Sequence, residues 1–291
     1  MSHESIPVNP ERTSAEIAES LSTAVRSMYE LTASTDFENA CTDAGVNPYD
    51  DFGTAAYLQV MANVGDQKAA EEGDMLQSQA LRLITATPMI VRNQVERDSR
   101  LASGQSDTGM AIARQATDYN EQLREFSTAF PSIKAADLEK ALLDATNMVV
   151  ESQRVIARAP DTIRGKLRGI QHEIAVGKII ELTGRQVTPG SSDEDLSGDD
   201  WIVTEVDGTT LYIDAKASLR EIDPSGKAER PYAVKLNGAI ALYSMCRDTD
   251  FRGMMVLPDA VAAAKAPAFD TILDAAQRDF HFRAHPRNMR A

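Results

Sequence analysis

The spacing of apolar residues divides the chain into a helical first part and a second part that mixes helix and strand. Thr13-Ser-Ala-Glu16 has the pattern of a capping box and predicts a helix start at Thr13. Ala-rich segments near 54–63, 67–86 and 108–128, separated by Asn-Pro, Gly and Ser-Gly sequences, predict further helices. The clearest stripe has 4-3-4-3-4 spacing, which keeps one helix face apolar, and comprises Leu138, Leu142, Ala145, Val149, Ser152 and Ile156.

The sequence Ala159-Pro160-Asp161 predicts the end of this helical part and therefore a domain boundary. The expected domains are residues 1–160, which are helical, and residues 161–291.

The second domain is predicted to contain a sheet. A helix is expected from about 162 to 183, before Gly184, followed by a short apolar strand at 186–188. Two β-rich runs, 200–205 and 209–217, are joined at Asp207-Gly208, a strong hairpin signal. A helix at 232–246, a strand at 254–257 and a helix at 259–277 complete the order α-β-β-β-α-β-α. This order predicts an α+β multidomain protein whose second domain is an α/β domain with a central mixed sheet flanked by helices.

Cysteine usage and hydropathy bear on the compartment. Cys41 and Cys246 are too few for a disulfide framework and lack CxxC spacing, which favours a reducing, cytoplasmic setting. The N-terminus has no apolar signal-peptide core, and the longest uncharged run, 52–65, is too short to span a bilayer. We therefore expect no membrane association.

The distribution of charge changes the expectation about partners. The 291 residues carry a net charge of −14, but residues 1–150 account for −12 of it and residues 151–291 for only −2. Phosphate binding depends on local patches rather than on the total. A basic run with one acid among its charged residues stands at the junction, and it comprises Arg154, Arg158, Arg164, Lys166 and Arg168.

Glu173 is the first acid with a candidate chemical role. If residues 162–183 form a helix, its neighbours on the same face are Ile170, Val176 and Ile180, all apolar. A carboxylate in an apolar stripe is costly unless a cation or hydrogen bonds compensate it. Glu181, with Lys178 beside it, has the pattern of a solvated surface acid instead.

The hairpin register decides which further acids come together. Strand alternation puts Asp214 and Lys216 on one face. A two-residue turn would place Asp200 opposite Ala215, whereas a three-residue turn with a G1 bulge places Asp200 opposite Asp214. The second register also sets Trp201 opposite Ile213 and so gives one apolar and one acidic face. We therefore expect Asp200 to be the residue that faces Asp214, with Asp199 as the alternative.

Facing carboxylates repel one another unless a cation lies between them. Asp200, Asp214 and Glu173 offer only hard oxygen ligands, which suit Mg²⁺ or Mn²⁺ rather than zinc. Lys216 is a point charge that could hold a phosphate oxygen or orient a water molecule.

The combination resembles the PD-(D/E)XK nuclease superfamily, which has a restriction-endonuclease-like fold. The matching pieces are Glu173, then Gly198-Asp199-Asp200-Trp-Ile-Val, then Ile213-Asp214-Ala215-Lys216, over about residues 163–258. The resemblance implies a Mg²⁺-dependent DNA endonuclease, with Glu173, Asp200, Asp214 and Lys216 as catalytic residues and the three acids as metal ligands. No proline precedes the aspartate, and the motif does not explain the helical part.

A type II restriction endonuclease is the activity that the resemblance favours. A homodimer is then expected, with the helical domain contributing dimerisation and DNA contacts and the basic run gripping the DNA backbone. The alternatives are a structure-specific nuclease of the junction or repair type, and a non-catalytic helical assembly protein with a degenerate nuclease domain.

Overall fold

The structure is a computed structural model that describes residues 12–105, 109–181, 186–190, 200–204, 210–216, 232–236, 239–245 and 251–256. Its helices are α1 (Ser14–Thr32), α2 (Thr35–Asp43), α3 (Ala55–Glu71), α4 (Met75–Ala102), α5 (Met110–Ala129), α6 (Ala135–Val149) and α7 (Gln153–Glu181). Its strands are β1 (Gln186–Pro189), β2 (Trp201–Thr204), β3 (Thr210–Lys216), β4 (Tyr232–Leu236), β5 (Ala239–Met245) and β6 (Phe251–Val256). The contacts within the chain divide it into two compact units. One comprises residues 4–168, and the other comprises residues 1–3 and 169–291.

The helical unit begins as the sequence predicts. Thr13 is the N-cap of α1: its side chain accepts from the backbone N–H of Glu16, and the Glu16 carboxylate accepts from the backbone N–H of Thr13 at 2.6 Å. The capping box is therefore confirmed. The apolar side chains of α1 line the core together with residues of α4 and α6, and the largest of those that are fully buried are Ile17, Leu21 and Met28.

The predicted stripe of α6 is confirmed only in part. Leu138, Leu142, Ala145 and Val149 are buried, as expected. The helix ends at Val149, however, and α7 begins at Gln153, so the last two members of the stripe are not part of the same helix.

The predicted break between the segments 54–63 and 67–86 is wrong. Helix α3 continues through Gly65 to Glu71, and the break comes at Asp74, which caps α4 by accepting from the backbone N–H of Leu76. Gly65 lies against the Thr85 side chain so closely that a Cβ atom would overlap it. This glycine allows α3 and α4 to approach each other and does not end a helix.

The predicted helix end at Ala159-Pro160-Asp161 is also wrong. Pro160 lies inside α7, although it supplies no N–H to the helix. An apolar stripe runs uninterrupted past the proline and is buried throughout, and it consists of Val155, Ala159, Ile163, Leu167 and Ile170. We infer that burial of this stripe offsets the hydrogen bond that the proline removes.

The six strands hydrogen-bond in chain order, β1-β2-β3-β4-β5-β6. All neighbouring pairs are antiparallel except β3 with β4, which are parallel. The strands predicted at 186–188, 200–205, 209–217 and 254–257 correspond to β1, β2, β3 and β6.

The predicted fold class is wrong. The described part of the chain is mostly helical, with seven helices before the first strand and, among the described residues, none after it. These residues therefore do not form an α/β domain with a central mixed sheet flanked by helices, as a restriction-endonuclease-like domain would.

The segment 232–246 shows why the fold prediction failed. It was expected to be a helix, but it supplies β4 and β5. Leu236 pairs with Ala239, which leaves Asn237-Gly238 between the strands, and Asn-Gly is a strong signal for a two-residue hairpin turn. The helix predicted at 259–277 lies outside the described residues.

Candidate metal-binding site

The pairing of β2 with β3 has the register that the sequence favours. Trp201 pairs with Ile213 and Val203 pairs with Leu211, in an antiparallel ladder. The predicted register is therefore confirmed, whereas the three-residue turn from which it was derived lies outside the described residues. Because Asp200 directly precedes Trp201 and Asp214 directly follows Ile213, one further step along the ladder puts the two aspartates opposite each other.

Strand alternation assigns the aspartates to the same face. Positions 214 and 216 share one face of β3, and position 213 lies on the other with its partner Trp201. Asp200 is buried, with only 7% of its surface exposed, and its backbone carbonyl accepts a hydrogen bond of 3.0 Å from the backbone N–H of Gly190. The main chain at Asp200 is therefore held by the end of β1, and Asp200 directly precedes the first residue of the ladder to β3.

Trp201 attaches the start of β2 to helix α7. Its indole Nε1–H donates a 2.9 Å hydrogen bond to the backbone carbonyl of Glu173. Its six-membered ring lies against Gly177, one helical turn further on, where a Cβ atom would come within 2.6 Å of the indole carbon Cζ2. The strand and the helix thus meet through an indole ring and a glycine.

Glu173 is joined to the strand through its main chain. Its side chain is half-buried, Ile170 one turn earlier is buried, and Glu181 is exposed, as expected of a solvated acid. The contact with β2 is made on the Trp201 face, whereas alternation assigns Asp200 and Asp214 to the other face. The role of the Glu173 carboxylate as a metal ligand stays a prediction.

The five basic residues before Glu173 have different surroundings, although all belong to α7. Arg164 forms a forked pair with Glu139, with Nη2–Oε1 at 2.7 Å, and this hydrogen bond and charge raise the pKa of the Arg164 guanidinium. Lys166 donates to the Asn120 side chain at 2.8 Å and lies 5.7 Å from the ring centre of Tyr119. Arg158 lies 3.6 Å from Asp98.

The remaining two members, Arg154 and Arg168, are exposed to solvent. Neither guanidinium has an ion-pair or hydrogen-bond partner among the residues that the structure describes. They are therefore the members of the run most available to an external phosphate.

The donor chemistry of the site fits a hard divalent cation. Asp200 is a buried residue, the β2–β3 register continued by one residue would set it opposite Asp214, and both carboxylates offer only oxygen. No group of three or more His, Cys, Asp or Glu side chains able to hold a metal occurs among the side chains described, a set that does not include Asp214. The metal centre therefore stays a prediction based on register and donor type.

Sequence reasoning missed Gly177 as a residue of this site. A glycine inside a helix is unfavourable, so its presence signals close packing or a bend. Gly177 stands four residues after Glu173, on the same helix face, and this spacing could have predicted that something packs against that face.

Comparison with known proteins gives no relative: no protein-family model, curated protein or solved structure matches the chain. No helix in the described residues is both long and apolar enough to cross a membrane.

Proposed function

We propose that the protein is a Mg²⁺-dependent endonuclease that hydrolyses phosphodiester bonds in DNA, in its most specific form as a type II restriction endonuclease. The observation that supports the proposal is the β2–β3 register, in which Trp201 pairs with Ile213. Continued by one residue, this register would set Asp200 opposite Asp214, and strand alternation would put position 216 on the same face. The motif resemblance also supports the activity, although the fold class that the resemblance implies is the one that the structure corrects.

Each residue has a distinct task in this proposal. Asp200 and Asp214 hold the cation, and Glu173 assists directly or through water. A bound Mg²⁺ supplies positive charge that polarises the scissile phosphate and lowers the pKa of water beside it. The Lys216 ammonium stabilises the negative charge that grows on the phosphoryl oxygens or orients the attacking water. The hydrogen bond from the Gly190 N–H to the Asp200 carbonyl helps to fix the backbone from which the Asp200 carboxylate extends.

The test is cleavage of plasmid DNA by the purified full-length chain. We expect nicked or linear product with Mg²⁺ or Mn²⁺, none with EDTA, and binding with little cutting in Ca²⁺, whose looser coordination positions water poorly. Cleavage that persists in EDTA would contradict the two-carboxylate mechanism. Discrete fragments indicate restriction-type cutting, and selective cutting of a four-way junction indicates a structure-specific nuclease. An intact plasmid under all conditions would favour the non-catalytic alternative.

DNA affinity is expected to depend most on the exposed arginines of the basic run. Changing Arg154 and Arg168 together to Ala should weaken binding on all DNA sequences and flatten its salt dependence by roughly 0.9 units of slope per lost phosphate contact. The matched pair Arg164→Ala and Lys166→Ala should have a smaller effect, because these side chains already bind Glu139 and Asn120. Fluorescence anisotropy between low and high salt measures both, and an unchanged slope for the first pair would exclude these arginines from DNA contact.

A further inference from the structure

The contact between Trp201 and α7 is specific in two ways at once. The indole N–H is bonded to one particular helix carbonyl, that of Glu173. The ring occupies the space above Gly177, where any other residue would bring a Cβ atom to 2.6–2.8 Å from three indole carbons. Contacts that short are not tolerated, so the ring would have to move. The indole therefore has one position along α7.

This position bears directly on Asp200, because Asp200 is the residue before Trp201 in the chain. Asp200 is itself buried and its carbonyl is tied to Gly190. A shift of the Trp201 ring that side-chain rotation does not absorb moves the backbone at the start of β2. Because Asp200 is the preceding residue, its carboxylate would move as well. Groups that orient a metal ligand without touching the metal commonly change metal affinity by about 10–100-fold.

We propose that Gly177 and Trp201 are positioning residues that set the Asp200 carboxylate for binding a divalent cation. The proposal rests on the metal-dependent function proposed above. In this proposal neither residue touches the cation. Gly177 leaves room for the indole, and the indole N–H bonds the start of β2 to the carbonyl of Glu173. Asp200 directly precedes this first residue of β2.

The test uses the full-length protein and Mn²⁺ alone as the probe. Trp201 is the sole tryptophan of the chain, so its fluorescence reports on this site and on no other. Mn²⁺ is paramagnetic and quenches an indole close to it. Titration should therefore quench the wild-type emission, and Asp200→Asn should remove most of the quenching. Quenching of Asp200→Asn at the wild-type midpoint would overturn the proposal.

Gly177→Ala is the decisive variant, and Gly169→Ala is its matched control. Both replace a glycine of α7, but a Cβ atom at Gly169 meets nothing within 4 Å. Gly177→Ala should shift the tryptophan emission and raise the Mn²⁺ midpoint by about 10-fold or more. Gly169→Ala should leave both unchanged. A shifted emission with a wild-type midpoint, or an unshifted emission, would overturn the proposal.

Trp201→Phe tests the same positioning role if circular dichroism shows that Gly177→Ala does not fold. It retains an aromatic ring but replaces the indole by the smaller phenyl group, which removes the N–H that binds the Glu173 carbonyl. Its Mn²⁺ affinity, measured from the electron paramagnetic resonance signal of free Mn²⁺, should fall below that of wild type. An unchanged affinity would overturn the proposal.

The outcomes separate this proposal from the proposed function. If Mn²⁺ binding responds to Gly177→Ala but the wild-type protein cuts no DNA, the positioning role stands and the nuclease function fails. If the protein cuts DNA and Gly177→Ala changes neither binding nor cutting, the nuclease function stands and the positioning role fails. Absence of Mn²⁺ binding to wild type overturns both.

Discussion

The helical unit and the strand segments use polar residues in opposite ways. Inside the helical unit, polar groups meet as donor and acceptor: the Thr87 and Tyr119 hydroxyls are 2.8 Å apart, and the Gln115 amide donates to Gln59 at 2.6 Å. In the strand segments, the β2–β3 register continued by one residue would set Asp200 opposite Asp214, two groups that carry the same charge when ionised. Complementary pairs hold helices together, whereas like charges in register require a further, positive component.

This difference indicates which buried polar residues have a functional role. A buried polar residue that is satisfied by a neighbour needs no explanation beyond stability. A buried acid aligned with another acid points to something bound, and the sequence around Asp200 and Asp214 points to a cation. Changes in the two regions should therefore produce different kinds of defect.

Among changes that leave the proposed metal ligands intact, the largest effect is expected in the strands, for Lys216→Ala. Loss of a cation that stabilises transition-state charge should lower the cleavage rate by about 10²–10³-fold. DNA binding and the free energy of unfolding should change little. Single-turnover cleavage beside a binding assay separates the two, and Lys178→Ala, which changes an exposed lysine of α7, is the control. A variant that cleaves at the wild-type rate would remove Lys216 from the chemistry.

An effect on stability alone is expected in the helical unit, for Gly65→Ala. The new methyl group overlaps the buried Thr85 side chain and should lower the free energy of unfolding by about 1–3 kcal/mol. Gly73→Ala, where nothing lies within 4 Å, should be neutral or stabilising. Urea denaturation compares the two. If both variants unfold at the wild-type midpoint, the close approach of α3 and α4 is not as described.

The smallest effect concerns the pH dependence of the helical unit. Burial and the neighbouring Glu121 raise the pKa of the half-buried Glu125 carboxyl above its usual 4.5, against the opposing charges of Arg124 and Arg82. Between the unfolded and the folded pKa the folded state binds more protons, so the free energy of unfolding falls as pH rises through that window. Glu125→Gln should reduce this fall. Urea denaturation from pH 4 to pH 7 measures it, and identical profiles would contradict the prediction.

The sequence predicts local features of both regions well. The capping box at Thr13 and the stripe through Leu138 and Leu142 depend on residues within two helical turns of each other. The β2–β3 register could also be predicted, because only one register separates apolar from acidic positions. Each of these features follows from short-range spacing.

Features that depend on distant packing could not be predicted in the same way. Pro160 was expected to end a helix, but tertiary burial of Val155 and Ile163 carries α7 past it. The residues of β4 and β5 have a composition that also suits a helix. The local feature that favours strands instead is the Asn237-Gly238 pair between them, which was not used in the prediction. The contact of Trp201 with Gly177 joins residues far apart in the chain and has no local pattern. Of these features, the wrong assignment of residues 232–246 is the one that bears on the fold class.

The β2–β3 register selects Asp200, and not its neighbour Asp199, as the residue that forms the proposed metal site together with Asp214. The most direct measurement is Mg²⁺-dependent plasmid cleavage by Asp200→Asn and Asp199→Asn, assayed side by side at equal folded concentration. We predict that Asp200→Asn abolishes cleavage and that Asp199→Asn retains most of it, because only the first removes the carboxylate in register with Asp214. Full activity of Asp200→Asn, or loss of activity confined to Asp199→Asn, would contradict the account.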